Sequence, residues 1–158
     1  MVVGTSNIIE YIWETFRDRL TSQVTSVQID DKGITNGKTI TINSTTSTFP
    51  ESAIDSKSDY PILVVETPSI NSQYFTGKRD LVSGTIAVSV YTTNAPSADK
   101  FMSQIYTVVE SYKNDFTKAG IEQIHIDSSD SDSAQRQGFV AHVRTVTFSF
   151  KSYINKTW

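Results

Sequence analysis

Two histidines and a short run of aspartates are the residues whose types and spacing invite chemistry. His125 lies two residues before Asp127, and His142 falls in a later alternating segment. If both segments are strands that pair, the two imidazoles become neighbours. Two histidines still fall short of a zinc site, which takes three or four protein ligands. A strand histidine with one hydrogen-bond partner is the favoured reading for each. Asp127, Asp130 and Asp132 form the sharpest acidic cluster. A calcium loop of the EF-hand type needs aspartates at every second position, a glycine, and a glutamate further on. The spacing here differs, and the glycine and glutamate are missing, so a solvated polar loop is favoured over a weak divalent-ion contact. Glu66 follows the apolar run Ile62–Val65 and reads either as the strand's solvent-facing end or as the partner of Arg79 or Arg144.

No nucleophile elbow, zincin helix, dinucleotide fingerprint or phosphate-binding loop occurs in the chain. Its many serines lack a context that would activate one. There is no cysteine, which removes disulfides, thiolate metal ligands and thiol nucleophiles together. The balance of 14 basic and 17 acidic residues argues against a broad surface for wrapping nucleic acid. Lys78, Arg79, Arg136, Arg144 and Lys151 are scattered rather than striped. The N-terminus lacks the basic and apolar regions of a signal peptide, and no apolar run reaches the length of a spanning helix. With no secretion signal, the glycosylation patterns at Asn43 and Asn155 read as chance. These residues predict neither catalysis nor a bound cofactor or metal.

The elements that would carry these residues follow from periodicity. Hydrophobic residues make up 37% of the 158, enough for one domain with one core. Residues 1–5 read as a loose tail. Ser6 or Asn7 can cap a first helix running to about Ser22, with Ile8, Ile9, Ile12, Trp13, Phe16 and Leu20 on its apolar face. Val24–Asp30 and Lys38–Ile42 alternate and read as a hairpin. Residues 43–59 are polar and aperiodic, longer than most connections, and read as a mobile loop. Ile62–Val65 reads as a strand covered on both faces. Ser69–Lys78 reads as a polar link with Tyr74 and Phe75 at its middle. Arg79–Thr93 is a long strand, with Val82, Ile86, Val88 and Val90 on one side and a bulge or bend at Gly84. Ser97–Gly120 is the clearest helix: Ser97 caps it, Gly120 closes it, and Phe101, Ile105, Val108, Tyr112 and Phe116 form its stripe. Ile121–Asp127 alternates, residues 128–138 read as a low-complexity polar loop, and Phe139–Ile154 reads as the longest strand. The sum is an α+β domain: a mostly antiparallel or mixed sheet flanked by two main helices, with long polar loops.

This order and texture resemble a known group. An amphipathic helix is followed by a polar loop, then YPILVVETP, then LVSGTIAVSVYTTN with a helix directly behind it, and finally VRTVTFSFKSY. Over roughly Asn7–Tyr153 the chain resembles the tail-terminator and tail-completion proteins of long-tailed bacteriophages, a group that includes the lambda tail terminator. The resemblance implies a non-enzymatic structural protein, present in the virion at the tail or neck and assembled in the host cytoplasm. It implies a homo-oligomeric, hexameric ring that caps the tail tube, ends its polymerisation and meets the head connector. The partners implied are further copies of the chain, the tail-tube protein and the head-completion or connector protein, with DNA only passing through the lumen and no membrane involved. Interface candidates are the exposed side of the first helix, Tyr74 and Phe75, the strand edges, and Asp127, Asp130, Asp132 and Arg136, with the acidic residues bordering the lumen. Competing readings are a small-ligand or carbohydrate-binding module, a small enzyme using His125 and His142, or another neck or tail-tube structural protein.

Overall fold

A computed structural model describes residues 8–31, 34–46, 60–76, 79–136 and 139–155. The N-terminal tail at 1–5 and most of the 43–59 loop lie outside the described residues. The elements in order are α1 (Ile8–Gln23), β1 (Ser26–Asp31), β2 (Ile34–Thr41), β3 (Ser44–Thr46), β4 (Ile62–Val65), β5 (Ser69–Thr76), β6 (Arg79–Thr92), α2 (Ala95–Ser111), α3 (Lys113–Lys118), β7 (Ile121–Arg136) and β8 (Phe139–Asn155). The fold is α+β.

One mixed sheet has the order β3-β4-β6-β8-β7, with β5 paired to β6 beside that path, and β1-β2 form a separate two-stranded sheet. β3 runs parallel to β4, and the other pairs of the large sheet are antiparallel. β4 and β5 share one edge of β6: β4 lies along Val88–Tyr91 and β5 along Arg79–Thr85. Ser69–Lys78 is therefore not a simple link. Its residues 69–76 form a strand, because a long β6 leaves ladder groups that need partners.

Both main helices lie on one face of the sheet. Ile12, Phe16 and Leu20 of α1 join Phe101, Ile105, Val108 and Val109 of α2, and Leu63, Val65, Val82, Ile86, Val88, Val146, Phe148 and Phe150 of the sheet, in one buried cluster. Phe16 stacks on Phe116 with ring centroids 4.7 Å apart and sits 6.3 Å from Phe148, tying α1 and α3 to β8. The alternation read for β6 holds, and so does double-sided burial of β4. Leu63 and Val65 face the helices, while Ile62 and Val64 pack with Tyr60, Tyr91 and Ala141 on the opposite face.

The long helix starts earlier than its sequence suggests. Its N-cap is Asn94, whose Oδ1 accepts the Ser97 N–H at 3.0 Å. Pro96 sits in the first turn, where a missing N–H costs nothing. Ser97 is instead fully buried, donating its hydroxyl to Thr92 Oγ1 and to the Asn94 carbonyl. At Tyr112 the helix breaks (φ −108°, ψ 17°), α3 begins, and Tyr112 stays half-buried. Gly120 closes α3 with a φ of 91°, which favours glycine. The β1-β2 hairpin is held against α2. Lys100 Nζ donates to the Gln28 carbonyl, and Gln104 Nε2 donates to the Ser26 carbonyl at 3.3 Å.

Candidate functional site

The acidic residues are on a strand. The polar stretch expected as a loop at 128–138 continues β7 to Arg136, paired rung by rung with β8. Serine and aspartate have low strand propensity, but the neighbouring strand supplies a complete row of backbone partners, and tertiary pairing outweighs propensity. Asp130 lies opposite Thr145, Asp132 opposite Val143, and Arg136 opposite Phe139. Asp127 falls at an irregularity between Ile126 and Ser128, where one residue is left out of the ladder. Side chains alternate, so Asp130 shares the face of Ala141, Val143 and Thr145, away from the helices. Asp127 and Asp130 are exposed. The strict Ser-Asp-Ser-Asp-Ser alternation over 129–133 is the period-two signal that could have revealed this strand.

Tyr74 and Phe75 lie on β5, opposite Leu81 and Asp80 of β6. The tertiary structure does not bring them to the acidic residues. Phe75 is level with Asp80, whereas Asp132 is level, through Val143, with Tyr91. Eleven residues of β6 separate those levels, about 36 Å at about 3.3 Å per residue. The candidates thus form two groups at opposite ends of the sheet: Tyr74 and Phe75 near the β5-β6 hairpin, and the aspartates with Arg136 on the β7-β8 hairpin.

The histidines are also apart, although their strands do pair. His125 is opposite Ser149 and His142 opposite Ser133, seven residues along β8, or about 23 Å. His125 Nδ1 lies 3.1 Å from the Gln123 carbonyl two residues away. Among the described residues, no group of three or more His, Asp or Glu could hold a metal ion. Glu66 is exposed just past β4, its N–H bonded to the Ala87 carbonyl at 3.0 Å. Of its two readings the solvent-facing end fits, and Arg144, one of the alternative partners, pairs with Asp99 of α2 at 2.7 Å.

The outer side of α1 is a lattice of local charge contacts. Arg17 bonds Asp18 at 2.8 Å and lies 4.5 Å over the Trp13 ring. Arg19 reaches Asp115 of α3 at 3.2 Å and lies 4.1 Å over Tyr112. Exposed pairs of this kind each contribute about 0–1 kcal/mol. Between α1 and α3 they border an open crevice of about 420 Å³ lined by Thr15, Asp18, Arg19, Ser22, Asp115, Phe116 and Ala119. A second crevice, of about 450 Å³, is lined by Thr21, Val24, Thr25, Thr41, Ile42, Asn43, Ser44 and Thr45.

The arrangement offers contact surfaces rather than converging reactive groups: two hairpin ends, a charged helix face, and the outer edge of β7. Comparison with protein-family models and with curated proteins finds no match for this chain.

Proposed function

We propose that this chain is a structural protein of a long-tailed bacteriophage that caps the tail tube as a ring, ends tail polymerisation and provides the interface for head–tail joining. The reading rests on the order and texture of the sequence. The observation that supports it is the separation, by about 36 Å along β6, of the strand positions of two sets of candidate contact residues. A cap must meet the tube on one side and the connector on the other, and a subunit with contact groups at both ends of one rigid sheet suits that task. In this reading the copies form a hexameric ring through a heterologous contact that closes on itself. Asp127, Asp130 and Asp132 border the lumen and repel passing DNA.

The test is direct. Purified chain added to growing tail tubes should stop elongation at one end, visible as shorter, capped tubes by negative-stain electron microscopy. Tubes that elongate unchanged refute the reading. Light scattering coupled to size exclusion separates it from the ligand-binding module: a persistent monomer that binds a small molecule supports the latter. The double substitution Asp130→Asn and Asp132→Asn should alter DNA passage or ring docking while leaving the thermal melt unchanged. Unchanged particle yield and infectivity would refute the lumen assignment.

A further inference from the structure

We propose that copies of this chain join head to tail by strand addition, the outer edge of β7 in one copy pairing antiparallel with the outer edge of β5 in the next. This deepens the ring reading, and rests on it for the need of a repeated subunit contact. The geometry comes from the ladder itself.

The Glu66 N–H bonds the Ala87 carbonyl, so Ala87 turns its peptide groups toward the β4 side of β6. Residues of an antiparallel strand alternate in the side to which they bond. Val88 and Val90 therefore bond Val146 and Arg144 of β8, which leaves Val143 and Thr145 to bond Asp132 and Asp130 of β7. The peptide groups of Ser129, Ser131 and Ser133 then point off the sheet. By the same alternation Leu81 and Arg79 bond Tyr74 and Thr76, and Gln73 and Phe75 point off the other side. In the strand order of the described residues, β7 ends the sheet and β5 pairs on one side only.

Three features make a second copy the fitting occupant. First, β7 runs in the direction of β6 and β5 against it, so a second copy in the same orientation, shifted along the strands by nine residues of β6 (from the level of Val82, opposite Gln73, to that of Tyr91, level with Asp132), or about 30 Å, brings these edges together antiparallel. Second, the lengths match: the regular ladder over residues 128–136 faces a β5 of eight residues. Third, the β7 edge lacks the usual blocks. Its residues 128–136 carry neither proline nor lysine, and the register irregularities of β7 lie before Ser128, so an unbroken row of outward peptide groups follows. The contrast with β1 is sharp, since the outward carbonyls of Ser26 and Gln28 there are covered by Gln104 and Lys100. The contact uses two different edges, so it is heterologous and propagates unless it closes into a ring.

Proline substitution tests this without touching the fold, because the N–H it deletes points outward. The full-length chain and the variants Ser131→Pro (β7) and Gln73→Pro (β5) are compared by sedimentation velocity over a wide concentration series. The wild type should assemble. Each variant alone should fall several-fold in weight-average mass to the 17.6 kDa monomer, with its circular dichroism and melting curve retained. Mixed, the two should form a one-to-one dimer and stop, because each keeps the edge the other lost. A Ser131→Pro variant that assembles like the wild type overturns the edge contact and leaves the ring reading standing. A mixture that stays monomeric while the wild type assembles overturns the β7-β5 pairing. A wild type that is monomeric at every concentration overturns the inference, whereas the ring reading falls only if tube elongation is also unaffected. Should Ser131→Pro fail to fold, Ser133→Pro deletes the next outward N–H and serves in its place. Asp132→Pro, which deletes an inward N–H, should unfold the hairpin; a variant as stable as the wild type overturns the assigned alternation.

Discussion

Replacing Gly84 with alanine probes how β5 is seated on the sheet. In an ordinary strand interior, alanine is the better residue by about 0.5–1 kcal/mol, because glycine loses more backbone freedom on folding. Here a Cβ built on Gly84 would lie 2.2 Å from the Ser69 carbonyl oxygen and 3.2 Å from Cζ of Phe150. Carbon atoms in comfortable contact sit about 3.5–4.0 Å apart, so the carbonyl must retreat by more than about 1 Å. That oxygen belongs to backbone. It opens β5 at the rung Ser69–Thr85, just before the irregularity between Ile70 and Ser72 that Gly84 accommodates. On the other side the Phe150 ring is 2% exposed and packed in the core. Overpacking of this kind costs about 1–3 kcal/mol, which outweighs the intrinsic gain. The expected net destabilisation is about 0.5–2 kcal/mol, a fall in melting temperature of about 1–8 °C for a chain of this size. Calorimetry should register the fall, and hydrogen exchange should show faster opening of β5 than of β8. A melting temperature equal to or above the wild type, with β5 protection unchanged, would refute the close-approach argument.

Phe16→Ala should remove about 3–5 kcal/mol, because the side chain is fully buried and stacked on Phe116; urea unfolding showing a loss below about 2 kcal/mol would place Phe16 outside the core. Asn94→Ala should cost about 0.5–2 kcal/mol through loss of the α2 cap, whereas alanine at Ser97 acts by leaving a small buried void, since Thr92 Oγ1 and the Asn94 carbonyl keep their bonds to each other and to the Asn94 and Ala98 N–H groups; equal melting temperatures for wild type and Asn94→Ala would refute the cap assignment. Burial raises the Tyr11 phenol above its ordinary value near 10, partly offset by the Thr15 hydroxyl, and its O–H donates to the Ala119 carbonyl. A raised acid keeps its proton longer when folded, so its contribution is complete below the unfolded value and declines as pH rises through the folded one. Stability should therefore fall above pH 10, and Tyr11→Phe should flatten that decline; identical alkaline limbs for the two proteins would refute it.

Much of the fold was legible because burial leaves a periodic trace. The stripe of α1 at Ile12, Phe16 and Leu20, the alternation of β6, and the unbroken run of β4 each announce their element and its buried side. What was not legible depended on partners distant in the chain. Residues 128–133 are all serine or aspartate, so no hydrophobic contrast marks them beyond their bare period-two alternation, and the β8 ladder is what makes them a strand. The start of α2 turned on a competition between Asn94 and Ser97 that burial of Ser97 beside Thr92 decides.

The same division holds for the candidate contact residues. Local chemistry alone determined which residues carry charge, which aromatic side chains sit in polar surroundings, and that cysteine chemistry is excluded. Tertiary structure alone decided which of them meet. It parted His125 from His142 by seven rungs and Phe75 from Asp132 by eleven, and it turned Asp130 away from the helices. The physical reason is register. A strand's own residues determine which side chains alternate, but only pairing with a distant strand determines which residue lies opposite which, and hence which backbone edge is left facing outward.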